Sequence, residues 1–366
     1  MSAAMPHNAE FGSSPSGRAA ERARRRGLTL VSLGGALVVV ALVSLGAGAV
    51  AIAPGEVRSA LISLVFGGAE ADAMHLAVVG TIRAPRVLFG ALVGATLGVS
   101  GAALQGIFRN PLADPGLIGV SSGASLGVAC AMMLGGSLSG MKAGWLAGAM
   151  IPAAGFVGGL IATSIVYRLA TRGGRTDVAT MLLAGIAINA FCGAGLGLLI
   201  YAASDTELRD FTLWTLGSLT TASWSVLALA TPVAVLAMAG LIAQQRQLNA
   251  MLLGESEAYH LGIDADAVKK RVVALSALAV GASVGFAGMV GFVGLVVPHL
   301  LRLAGGADHR LVLPGSALLG AALLVGADAL ARTVAAPAEL PIGVITSLIG
   351  APFFLWLLAR QLKGVG

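Results

Sequence analysis

Read for charge, the chain falls into long stretches without a single Asp, Glu, Lys or Arg, separated by short polar connections. These stretches cover 28–50, 87–108, 115–141, 143–167, 178–204, 211–245, 272–301, 311–327 and 340–359. Each is near or above the roughly 20 residues with which an α-helix crosses the hydrocarbon of a bilayer. A transmembrane barrel is excluded, because its strands alternate lumen-facing and lipid-facing residues and yield no unbroken apolar runs. The pattern predicts an all-α polytopic membrane protein lying in a lipid bilayer. The first run is long for a signal peptide and lacks a small-residue cleavage site, so a retained first helix is expected. Residues 1–27 are rich in Ser, Gly, Ala and Arg and are expected to form a disordered basic tail, with 28–366 as the transmembrane domain.

Basic residues fix the predicted orientation. Arg22, Arg24, Arg25 and Arg26 precede the first run and place the N-terminus in the cytoplasm by the positive-inside rule. Nine spans would then leave the C-terminus outside, yet Arg360 and Lys363 follow the last run and favour the cytoplasm. The run 272–301 resolves the conflict. It lies between Lys269, Lys270, Arg271 and Arg302, Arg310, which all favour one side, so it is expected to hold a helix, a break and a short returning half-helix. Gly281, Gly285, Gly288, Gly291, Gly294 and Pro298 suit such a break, which membranes tolerate where protein or an aqueous cavity covers the backbone. About ten spans result. Both termini and the segment 252–268 fall in the cytoplasm.

The chain also repeats itself. "VGATLGVSG" (93–101) and "VGASVGFAG" (280–288) share Val, Gly, Ala, Gly and Gly, and the same offset aligns Pro111 with Pro298 and Arg83 with Lys270. An odd number of spans separates the copies, so they run in opposite directions. Inverted repeats of this kind frame central substrate pathways in transporters, although small residues at these spacings also serve plain close packing of helices.

Composition adds the exclusions. Hydrophobic residues make up 57% of the 366 and charged residues 11%, against about 25% charged in soluble domains. The net charge of +6 sits largely in loops and implies no nucleic acid. No Walker A loop, HExxH or metal-ligand cluster occurs, so neither ATP binding, catalysis nor a resident cofactor or metal is expected. Cys130 and Cys192 lie in apolar runs and read as small buried hydrophobes. The stretch "LLGESEAYHLGID" (252–264) places three carboxylates and a histidine in this apolar chain. Its pattern fits a solvated loop or a docking helix on which Leu253, Ala258, Leu261 and Gly262 share a face. Gln105, Asn189 and Asp328 are polar residues within or beside spans. They are candidates for a transport pathway or for hydrogen bonds between helices.

Four segments together carry a resemblance: "RAPRVLFGALVGATLGVSGAALQGIFRNPLADPGLIGVSSGASLG" (83–127), "LLGESEAYHLGID", "GFVGLVVPHLLRLAGGADHRLVLPGSALLGAALLVGADALAR" (291–332) and "ELPIGVITSLIGAPFFLWLL" (339–358). The chain resembles the permease subunits of ABC importers for iron-siderophores, haem and vitamin B12, in consistent order from about residue 30 to the end. The resemblance implies a homodimer with two copies of a cytoplasmic ATPase and a periplasmic binding protein, in the bacterial inner membrane. It implies that Gly254, Glu255, Ala258, Leu261 and Gly262 form a coupling element docked on the ATPase. It also implies that Arg83, Arg86 and Arg332 face outward to grip carboxylates of the binding protein, for which guanidinium's bidentate fork is suited; the residues alone also fit a local i,i+4 pair of Arg332 with Asp328 and anchoring of a helix end at lipid headgroups by Arg83 and Arg86. The motifs look closer to haem and cobalamin permeases than to siderophore ones, and haem or another metal chelate is the expected cargo. An ion-coupled secondary transporter also uses inverted repeats, but buried carboxylates are nearly absent and the docking segment would have no partner.

Overall fold

The computed structural model describes residues 15–67, 72–137 and 144–363. From the N-terminal side, α1 (Pro15–Gly46) is followed by the short helices α2 (Pro54–Phe66) and α3 (Ala73–Ala77). A π-type turn (Val78–Arg83) joins α3 to α4 (Ala84–Phe108). A 3-10 turn (Pro115–Ile118) leads into α5 (Val120–Ser137) and α6 (Gly144–Ala170). The antiparallel pair β1 (Thr171–Arg172) and β2 (Arg175–Thr176) then turns the chain into α7 (Val178–Ala202). Next come α8 (Asp205–Thr215), α9 (Trp224–Ala243), α10 (Gln245–Met251) and α11 (Glu255–His260). The chain closes with α12 (Ala265–Ala287), α13 (Val293–Gly305), α14 (His309–Val334) and α15 (Ile342–Lys363). Among the described residues seven helical segments are long and apolar enough to cross a membrane, and shorter apolar helices in α5, α13 and α15 bring the spans to ten.

Three expectations need correction. Residues 15–27, expected to be disordered, belong to α1, because nothing between Pro15 and the apolar run breaks helical geometry; residues 1–14 of that tail lie outside the described residues. The run 211–245 is two helices. Ser204 caps α8 by accepting from the Glu207 amide while the Glu207 carboxylate accepts from the Ser204 amide, and the chain turns at Gly217 before Ser223 caps α9. The break in 272–301 is confirmed, but it is confined to 288–292. Gly281 and Gly285 lie within α12 and Pro298 lies inside α13.

Helices α4, α12 and α14 form the buried centre, while α1 and α7 expose most of their apolar surface. Lipid tails are as apolar as leucine, so helix association in a membrane depends on close contact rather than on expulsion from water. Here the contact is backbone to backbone. A Cβ on Gly94 would lie 2.2 Å from the Gly320 carbonyl oxygen of α14, and one on Gly101 would lie 1.9 Å from that of Gly294 in α13. Both distances are impossible for a side chain.

The inverted repeat is real in space. Phe89 meets Phe286 edge-on at 6.4 Å, and Thr96 Oγ1 lies 2.6 Å from Ser283 Oγ, so α4 and α12 run antiparallel. Thr96 and Ser283 are the equivalent positions of the two copies, 187 residues apart. Residues related by an approximate two-fold meet one another only near the axis, which therefore passes between these hydroxyls. The halves also exchange partners, since α4 packs on α14 while α12 packs on α6, the fourth span of the other half. The alignment fails past the helices: Pro111 sits in a loop, whereas Pro298 is helical.

Replacing Gly101 with Val should destabilise the protein by about 1–3 kcal/mol or prevent folding, as overpacked cores do, read as a lowered midpoint of thermal unfolding in detergent. Gly34, which has no atom within 4 Å of a Cβ position, provides the contrast: Gly34→Ala should hold or raise that midpoint.

Candidate functional site

The segment 252–268 is built by local rules. Gly254 has φ +131° and opens α11, with Glu255 and Glu257 in the first turn and His260 in the last, the arrangement that complements a helix dipole. Gly262 has φ +77°; its amide donates to the Tyr259 carbonyl at 2.9 Å and the Ile263 amide to the Ala258 carbonyl at 3.0 Å. This pair of bonds is a Schellman motif, and it requires the left-handed residue that glycine supplies. Asp264 then caps α12 by accepting from the Ala267 amide. The two glycines thus define the ends of a six-residue helix.

What α11 presents differs from expectation. Ala258 is fully buried and packs into the core, so it does not belong to a docking face. The exposed apolar groups are Leu253, Tyr259 and Leu261, at 65%, 75% and 61%. Glu255 turns toward the protein, accepting from Lys269 Nζ at 2.7 Å. An open cleft of about 1620 Å³ lies between α11 and the β1–β2 turn, lined by Arg172, Arg175, Tyr259, His260 and Asp266 among others. On the α10 side, Asn249 donates to Asp308 at 2.7 Å and accepts from the His309 amide at 2.8 Å, tying α10 to the start of α14.

At the opposite end of α4 the structure brings Arg83, Arg86 and Arg332 together, as the resemblance implied, but turns them inward. All three are buried. Arg86 holds Asp328 through Nε and Nη2 at 2.9 to 3.1 Å and Glu339 through Nη1 and Nη2 at 3.0 and 2.9 Å. Arg332 donates to Asp328 at 3.0 Å, to the Ala47 carbonyl at 2.7 Å and to Ser44 Oγ at 2.7 Å. Arg83 donates to the carbonyls of Leu45, at 2.7 Å, and of Val50. The last turn of a helix leaves carbonyls without partners and carries partial negative charge, and Arg83 and Arg332 satisfy both needs for α1. Their guanidinium groups are spent inside the bundle rather than offered to a partner. Glu339, with 38% of its side chain exposed, is the member of the cluster nearest solvent.

The three pathway candidates also point into helix contacts. Gln105 donates to the carbonyls of Ala113 and Gly294 at 3.2 and 3.3 Å and accepts from Arg302. Asn189 accepts from the Ser122 hydroxyl and donates to the Gly116 carbonyl at 3.2 Å. Asp328 is held by two arginines. None of them lines the apolar cavity of about 610 Å³ bounded by Thr215, Met289, Gly291, Ser347 and Pro352. Among the described residues no three His, Cys, Asp or Glu side chains gather to hold a metal.

Tyr259, Glu339 and Lys269 were missed as site residues. For Lys269 a cue existed: it falls in helical phase with the buried Val272, Val273 and Ser276, while its neighbours Lys270 and Arg271 are exposed. In the sequence it read simply as one of three loop charges.

The family model described as the FecCD transport family matches residues 36–360. The chain belongs to that family. Its relatives include the hemin transport system permease protein of Yersinia pestis, 51% identical over 284 residues, covering 76% of this chain and 82% of the relative. The vitamin B12 import system permease protein of Salmonella paratyphi A is 40% identical over 349 residues, covering 94% and 99%. An inward-facing structure of a metal-chelate type ABC transporter matches with a TM-score of 0.77 at 31% identity, over 90% of this chain and 98% of that one. This FecCD chain is a permease subunit of an ABC importer and an inner-membrane protein, and membership implies an ATPase partner and a second permease copy.

Two outcomes follow from the geometry. Arg86→Ala takes from buried Asp328 one of its two guanidinium partners and from Glu339 its ion-pair partner, and should cost about 1.5–3 kcal/mol, measured as a fall in the detergent unfolding midpoint; Glu339→Gln should cost less. Gly254→Val forces a branched residue to φ +131°, a conformation that costs about 1–3 kcal/mol, and should lower ATP-driven uptake while the protein still reaches the membrane.

Proposed function

We propose that this permease carries haem from periplasm to cytoplasm as a homodimer, driven by two copies of a separate cytoplasmic ATPase and supplied by a periplasmic binding protein. Both termini and the α10–α11 segment lie on the cytoplasmic side, and the passage follows the dimer axis. The observation that carries this reading is α11: a short, glycine-bounded helix, tied to α12 from beneath, that offers Leu253, Tyr259 and Leu261 to a partner. Gly254, Glu255 and Gly262 shape and orient this element, while the exposed apolar groups make the contact. The choice of haem follows the hemin permease relative, at higher identity than the vitamin B12 permease. The arginine cluster sets the shape of the periplasmic rim that the binding protein meets. Gln105, Asn189 and Asp328 hold helices around the passage.

A cobalamin or ferric siderophore cargo is the second reading, favoured by the cobalamin import permease of Halobacterium salinarum, 47% identical over 281 residues. Ion coupling is disfavoured because Asp328, the buried carboxylate of the arginine cluster, is already paired with two guanidinium groups.

The deciding measurement is uptake in cells where this permease, its ATPase and its binding protein provide the sole route. ATP-dependent accumulation of haem is expected. Accumulation of cobalamin or a siderophore instead overturns the cargo, and uptake that persists without the ATPase overturns the driving force.

A further inference from the structure

Lys269 is an ammonium with 3% of its side chain exposed, whereas the adjacent Lys270 is exposed. Its Nζ donates to Glu255 Oε2 at 2.7 Å and to the Thr176 carbonyl at 2.9 Å, and lies 3.7 Å from Asp266 Oδ1. Asp266 Oδ1 in turn accepts from the Thr176 amide at 2.8 Å. These groups come from three separate elements: α11, the β1–β2 turn between α6 and α7, and α12. No other polar tie of this kind joins α11 to the spans among the described residues, because its buried face otherwise contributes the methyl group of Ala258.

We propose that Lys269 is a positioning residue for coupling: it locks α11, the β1–β2 turn and α12 into one unit, so that displacement of α11 by its partner moves α6, α7 and α12 together. The physical reason is the cost of the alternative. With 3% of its side chain exposed, Lys269 leaves little room for water to replace a lost oxygen, so pulling the three elements apart costs more than moving them together. The proposal rests on the docking role given to α11 above.

The test uses the full transporter, permease with ATPase and binding protein, in proteoliposomes, and reads ATP hydrolysed per cargo molecule delivered. Lys269→Met should raise that ratio at least about fivefold, and Lys269→Arg, which keeps the charge, should restore most of the coupling. Glu255→Gln, nearly isosteric, should raise it in the same direction and covers the case in which Lys269→Met fails to fold. A ratio unchanged in Lys269→Met and Glu255→Gln, or hydrolysis and transport falling in parallel, overturns the proposal. Cross-linking of a Tyr259→Cys permease to the ATPase separates the two failures. A cross-link with an unchanged ratio removes the role of Lys269 alone, whereas no cross-link removes the docking role of α11 and this proposal with it.

Discussion

Backbone contact between small residues is the constraint on which the rest of this molecule depends. In water the burial of leucine would hold helices together, but in lipid it gains nothing, so attraction must come from surfaces that meet closely enough for dispersion and carbonyl contacts to accumulate. Gly94 against Gly320 and Gly101 against Gly294 bring α4 to within touching distance of α14 and α13. That proximity is what lets Gln105 reach the Gly294 carbonyl of α13, while Thr96 meets Ser283 of α12 at the repeat axis. Larger side chains at these glycines would separate the helices and orphan every polar contact between them.

With its centre so fixed, α4 sets the distance between two polar ends. Arg86 lies in its first turn and Gly106 in its last, about 30 Å apart at 1.5 Å per residue. Near Gly106 lie Leu248 of α10 and His309 of α14, so the segment leading into α11 rests on the same rod that anchors the arginine cluster. Both ends follow one logic: cations are turned inward and saturated with oxygens from elements distant in sequence. Arg86 joins α4 to α14 and to the loop before α15; Lys269 joins α11 and the β1–β2 turn to α12. What remains outside around α11 is a mixture of apolar groups, Leu253, Tyr259 and Leu261, and charged ones such as Arg172, Arg175 and Lys270.

Much of this was legible beforehand. Apolar runs marked the spans because a helix in lipid must satisfy its own backbone and carry few charges. The odd count of runs against the basic termini revealed a broken span within 272–301, and the charged stretch 252–264 marked the region of α11. The errors have physical causes as well. Gly217 and Ser223 divide 211–245 through a positive φ and capping, which a charge count ignores. Ala258 shares a helical face with Leu261 only while α11 and the Schellman turn are treated as one continuous helix. The arginines were expected to face outward because the family resemblance implies docking groups at those positions, and the motifs do not show which oxygens lie within reach.

The sequence by itself determined that this protein is a helical membrane permease with two inverted halves, where its chain crosses, and which short helix stands apart. Those properties depend on local composition, periodicity and repetition. Tertiary structure decided which charges are free. Arg83 and Arg86 meet their oxygens only when elements far apart in the chain are brought together, and Arg332 and Lys269, each beside an acid of its own helix, add oxygens from distant elements. Whether such a cation is a docking group or an internal tie is therefore set by neighbours that no local pattern contains.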